Sequence, residues 1–185
     1  MNGGFKMKPI TITPYNPAWP GEFNKIKTEL TQVLQGVALA IEHVGSTAVP
    51  GLSAKPIIDI DIIIETENFS ATAARLATIG YHHVGDLGIT GREAFKYEGK
   101  PHLMEHHLYV CEKNSPELNR HISLRDFLRT NETYRNKYSQ IKIEMAKKFP
   151  HDIDSYIEGK QPLILKIYQL CGLDITYKAK DGSKI

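Results

Sequence analysis

The run at 56–64, Pro-Ile-Ile-Asp-Ile-Asp-Ile-Ile-Ile, constrains the fold of this chain more than any other stretch. β-Branched side chains favour extended backbone, and a strand sends successive side chains to opposite faces. Ile58, Ile60, Ile62 and Ile64 therefore share one face, which helices must cover, while Asp59 and Asp61 share the other. Desolvating an unpaired carboxylate is expensive, so the acidic face borders a solvent-filled cleft or meets a cation. Two like charges this close also need an offsetting cation or base. Hard oxygen donors at this spacing suit Mg²⁺ or Mn²⁺, which keep several waters and bind substrate phosphates together with one or two carboxylates. A half-exposed strand with solvated aspartates is the competing reading of the same spacing.

The loop before this strand adds to the metal reading. Gly45 lets the backbone approach a ligand, Ser46 and Thr47 bring hydroxyl donors, and Lys55 stands at the mouth of the strand. Successive backbone N–H groups in such a turn form a concavity for anions. Taken alone, the loop reads as an ordinary Gly-Ser turn. Placed one loop before paired carboxylates, it reads as a phosphate cradle whose ligand a metal would bridge to Asp59 and Asp61.

Around this centre the periodicity predicts a helix over 21–35, with Phe23, Ile26, Leu30, Val33 and Leu34 at helical spacing and Trp19 as an anchor. Strands follow at 38–44 and 56–64, and a helix at 68–79 with Phe69, Ala73, Leu76 and Ala77 inward. Three more strands follow at 81–84, 93–97 and 103–111. From 116 the pattern is helical, with segments at 116–129, 134–149 and 153–170, the last expected to break near Pro162. Strands early and helices late define an α+β core followed by a helical segment. The organisation read from this is an extension over 1–13, a core over 14–114, C-terminal helices over 115–173 and a loose tail over 174–185, with 1–8 also partly disordered.

With 185 residues, 41% hydrophobic and 24% charged, the chain has the composition of one globular domain. Its net charge of +2 argues against long nucleic acid as a partner. The segment 116–150 carries eight Lys or Arg against four acids, read as a solvated helix face ahead of a phosphate-attracting one. Cys111 and Cys171 lie far apart, which suggests neither a disulfide framework nor a CxxC metal site, and a reducing cytoplasm is expected. No signal peptide and no membrane partner are read from the sequence.

The stretch HVGSTAVPGLSAKPIIDIDI, residues 43–62, resembles the signature of the GrpB family of small bacterial proteins. Gly91-Arg92 with Phe95, the HHLYV of 106–110 and the LRDFLR of 124–129 extend the likeness over 14–172. The family is similar to the nucleotidyltransferase superfamily with the DNA polymerase β type of palm. The resemblance implies a mixed sheet flanked by helices, with the C-terminal helical segment closing the cleft. It assigns Gly45 and Ser46 to the phosphate loop and Asp59 and Asp61 to the metal pair and catalysis. It further implies transfer of a nucleotidyl group from a nucleoside triphosphate to an unknown acceptor, with Mg²⁺ or Mn²⁺ as cofactor. The alternative is a non-catalytic nucleotide- or ligand-binding module on the same scaffold, linked to coenzyme A metabolism by related domains fused to dephospho-CoA kinase.

The superfamily pattern also asks for a third acid on a later strand. Glu105 is the candidate, with His107 beside it on the same face as Tyr109. GrpB-like sequences typically show HHLH here, and Tyr109 replaces the last His. Arg92 and Arg125 are candidate phosphate ligands. Arg125 and its neighbour Asp126 are expected not to face each other on their helix. Lys142 and Lys160 read more readily as solvated lysines, and Tyr134 and Tyr138 as packing. Five histidines (82, 83, 102, 106 and 107) raise zinc, but adjacent histidines on a strand point apart.

Overall fold

The computed structural model describes residues 8–175. The segments expected to be loose, 1–8 except Lys8 and 176–185, lie outside the described residues. In chain order the elements are α1 (Trp19–Leu34), β1 (Ala38–Val44), β2 (Ile58–Ile64), α2 (Phe69–Thr78), β3 (Tyr81–His83), β4 (Arg92–Tyr97), β5 (His106–Glu112), α3 (Pro116–Thr130), α4 (Glu132–Lys148) and α5 (Ile153–Leu170). The α+β class is as expected. The five strands form one mixed sheet in the order β1-β2-β5-β4-β3, in which β2 and β5 run parallel and the other neighbours antiparallel.

Strand β2 sits second from the edge, and its alternation divides the molecule. Ile58, Ile60, Ile62 and Ile64 are fully buried under α1 and α2, together with Trp19, Phe23, Ile26, Leu30 and Leu76. Burying a side chain of this size contributes roughly 1.5–3 kcal/mol. On the other side of the sheet, α3, α4 and α5 close around a smaller core of Val49, Leu52, Leu128, Tyr138, Leu163 and Ile167. The helices on this side are capped as their sequences allow. Ser115 Oγ accepts from the Leu118 N–H at 3.2 Å at the start of α3, and Asp152 Oδ1 accepts from the Ser155 N–H at 3.0 Å at the start of α5. Helices α4 and α5 approach closely where Gly159 faces Met145, since a Cβ on Gly159 would overlap the Met145 sulfur.

Several boundaries differ from the periodicity. Helix α1 starts at Trp19, two residues early, because Pro20 is tolerated in a first helical turn. Strand β5 starts at His106, not 103, because the Leu103 N–H bonds to the Lys100 carbonyl in a turn. In α2 the buried positions are Thr72 and Leu76, and Ala77 is exposed. Helix α5 runs unbroken through Pro162, forgoing one backbone hydrogen bond at that point. Among the described residues no helix is long and apolar enough to cross a membrane.

Candidate functional site

The ladder fixes what stands beside the two aspartates. Asp59 pairs with Val44 on one side and His107 on the other, and Asp61 pairs with Glu42 and Tyr109. Both carboxylates thus project from the face covered by α3–α5, as the alternation requires. The loop from β1 then folds back over them. Gly45 has φ +68°, a left-handed conformation that favours glycine. A Cβ at Gly45 would overlap Asp59 Oδ2. The glycine is therefore required twice, by its backbone angle and by the carboxylate lying against its Cα.

The neighbours of the aspartates are histidines. His107 Nδ1 lies 2.9 Å from Asp59 Oδ1 in a half-exposed pair. Asp61 is fully buried. His121 Nδ1 on α3 lies 2.7 Å from Asp61 Oδ2, and His121 Nε2 lies 3.2 Å from Glu117 Oε1 one helical turn earlier. Burial alone would lower the His121 pKa, but the Asp61 charge and hydrogen bond, with Glu117 behind, push it up to about 10. Burial would raise the Glu117 carboxyl, and the hydrogen bond from His121 brings it below its ordinary value instead. The imidazolium thus sits between Asp61 and Glu117 and offsets the buried member of the aspartate pair. Asp61 Oδ1 remains buried without a hydrogen-bond partner.

In front of Asp59 lies a cavity of about 260 Å³. Its walls include Gly45, Ser46, Lys55, Asp59, His107 and Arg125 from the expected set. Helices α3–α5 add His121, Tyr138, Lys142, Tyr156 and Lys160. Lys142 is only 2% exposed, and its Nζ donates to Ser46 Oγ at 3.0 Å. Burial and the charge of Lys160 hold the Lys142 pKa well below the ordinary lysine value, against a weaker pull from Asp59. Burial and Lys55 bring Lys160 down to about 8. Reading Lys142 as solvated is therefore wrong. It follows Tyr138 by four residues and so shares the inward stripe of α4, a signal available in the sequence. The Glu117–His121 spacing, also four, could likewise have flagged that pair.

Thr47, Arg92 and Glu105 lie outside the cavity wall. Thr47 is buried, donating to the Ile57 carbonyl at 3.1 Å and bonding His43 Nε2 at 3.0 Å, so it braces the loop. Arg92 lies over the Tyr109 ring at 4.3 Å, with its Nε buried and unpartnered. Glu105 is exposed and precedes β5, where its backbone carbonyl accepts from Ile58. Asp61, fully buried, is not on the cavity wall either. Contrary to the expectation that they do not face each other, Arg125 Nε donates to Asp126 Oδ1 at 2.8 Å. The same arginine also donates to Glu42 at 2.7 Å and to the His43 carbonyl at 3.1 Å. His106 points to the opposite face from His107, where it bonds the Tyr81 hydroxyl at 2.7 Å.

The GrpB protein family matches residues 9–170, and the chain belongs to it. It is 32% identical to the UPF0157 protein YqkA of Bacillus subtilis over 86% of this chain and 46% of that protein. It is 33% identical to the glutamate-rich protein GrpB of Alkalihalophilus pseudofirmus over 85% of this chain and 93% of that protein. The chain thus spans less than half the length of YqkA but nearly all of the A. pseudofirmus protein. The crystal structure of the conserved protein GrpB from Enterococcus faecalis superposes with a TM-score of 0.76 at 35% identity, over 86% of this chain and 96% of that one.

Proposed function

We propose that the cavity binds a nucleoside triphosphate by its phosphates and supports transfer of the nucleotidyl group to an acceptor hydroxyl. One observation carries the reading: the Gly45–Ser46 turn lies in contact with Asp59, so a phosphate held by the turn would be held beside the carboxylates. Ser46 Oγ and the N–H groups of the turn would bind phosphate oxygens. Lys55 and Lys160, which also line the cavity, would neutralise phosphate charge. His107, oriented through Nδ1 by Asp59, would take the acceptor's proton at Nε2.

Asp59, on the cavity wall, would be the first ligand of a hard divalent cation such as Mg²⁺ or Mn²⁺, with buried Asp61 behind it. Both are oxygen donors on one strand face, and the buried Asp61 Oδ1 lacks a partner. Among the described residues no group of three or more His, Cys, Asp or Glu is arranged to hold a metal alone. Water and phosphate oxygens would therefore complete the shell, as is usual for Mg²⁺. When bound, the ion would stabilise charge on the attacking and leaving oxygens of an in-line displacement.

Calorimetric titration of the full chain with each nucleoside triphosphate, with and without Mg²⁺, tests the reading. Metal-dependent binding is expected, weakened at least about tenfold in Asp59→Asn, a loss of roughly 1.4 kcal/mol. Binding that ignores both the metal and the substitution would remove the aspartates from the mechanism.

A further inference from the structure

The same cavity holds two side chains with chemistry of their own. Ser46 is the first residue of a 3-10 turn, Ser46–Ala48, entered through the left-handed Gly45, and it is partly exposed on the cavity wall. Lys142 reaches it from α4, with Nζ 3.0 Å from Oγ. Lys142 is buried, its Nζ 4.6 Å from the Tyr138 ring centroid. Among the described residues no carboxylate forms an ion pair with this amine. From β2, Asp59 attracts a proton to it, and from α5, Lys160 repels one. Lys160 stands 4.1 Å from the Tyr156 ring centroid, with Lys55 5.7 Å from the same centroid. A lysine desolvated and placed near another cation gives up its proton more readily. Once that proton is lost, the Nζ lone pair faces a serine hydroxyl 3.0 Å away, the arrangement by which serine–lysine pairs make a nucleophile without histidine.

We propose that Ser46 and Lys142 form a nucleophilic dyad, with Ser46 Oγ attacking an activated phosphoryl ester or anhydride and Lys142 serving as its general base. Lys142 Nζ takes the Oγ–H proton as the Oγ–P bond forms. The P–O bond to the leaving group breaks, and that group departs with the proton from Nζ. The product is a phosphoester on Ser46. Water or an acceptor hydroxyl cleaves it by the same sequence, restoring Ser46. A phosphorus centre suits this pocket because Lys55 and Lys160 line the wall around the dyad, where they can neutralise the non-bridging oxygens. The dyad requires neither a nucleoside nor a metal, so it goes beyond the nucleotide reading and does not depend on it.

A fluorophosphonate, which carries a phosphorus electrophile and no nucleoside, tests this on the full chain by intact mass and peptide mapping. The expected result is a single adduct on Ser46 with loss of fluoride, absent in Ser46→Ala and slowed roughly a hundredfold in Lys142→Met. Methionine matches the length of the buried shank, and thermal melting establishes that the variant is folded. The labelling rate of the native chain should rise to a plateau with a midpoint well below the ordinary lysine value of about 10.4, and this profile decides the matter if Lys142→Met does not fold. No adduct on Ser46, equal labelling of a folded Lys142→Met, or a rate that climbs only above about pH 10 would overturn the proposal.

Discussion

Strand β2 presents two faces to two different environments. Its even-numbered side chains, Ile58 to Ile64, are sealed beneath α1 and α2. Its odd-numbered aspartates meet histidines and a lysine-lined cavity beneath α3–α5. The difference teaches that one short strand separates two tasks by parity alone. The isoleucine face holds the sheet in place by apolar burial. The aspartate face is electrostatically committed: buried Asp61 is neutralised by His121, and the outer carboxylate, Asp59, is left partly exposed beside the glycine turn. Such a division lets chemistry change on one face without loosening the other.

The largest expected effect strikes the isoleucine face. Ile60→Ala should destabilise the fold by about 2–5 kcal/mol, the range for a fully buried aliphatic truncation, read from urea unfolding. A loss below about 1 kcal/mol would mean that the apolar face is not the one holding the sheet together. A smaller effect is expected at His43, on the isoleucine side of β1, where it stacks on Phe23 at 4.7 Å between ring centroids. Burial lowers its pKa to about 4, assisted by Arg129 and Arg125 and opposed by Asp59. The unfolded chain therefore binds a proton near pH 6.5 that the folded chain refuses until about pH 4. This contribution is complete above pH 6.5 and lost as pH falls toward 4, by up to about 3 kcal/mol. Melting temperatures from pH 7.5 down to 4.5 should fall more steeply for the native chain than for His43→Gln, and equal slopes would refute the assignment. The smallest effect belongs to Asp59→Asn. Its partly exposed pair with His107 is worth under about 1 kcal/mol, so the unfolding midpoint should scarcely move. If this substitution destabilised the fold as much as Ile60→Ala, the separation of tasks by parity would fail.

Much of this arrangement was legible in the sequence because it depends on period-two alternation. Alternation placed Ile58–Ile64 and the two aspartates on their faces; that His107 stands beside Asp59 follows from the pairing of β2 with β5. The left-handed glycine and the serine after it were likewise visible as a turn. What escaped depends on contacts between elements distant in sequence. Lys142 looks like one more base in a basic helix until α5 covers it. His121 gains its role only when α3 packs across the sheet and meets Asp61, sixty positions away. Glu105 shares the parity of His107, but the turn at 100–103 delays the strand, and parity alone cannot reveal where a strand begins.

Gly159 and Met145 are not on the cavity wall, yet they bear on it. Each adjoins a lysine in sequence or by one turn, Lys160 directly and Lys142 three positions earlier. The missing side chain at 159 thus acts as a gauge block between the two helices, setting how near two amines can come and so how reluctant each is to carry charge. A family member with a bulkier residue there would keep every wall residue and still hold its amines at a different separation.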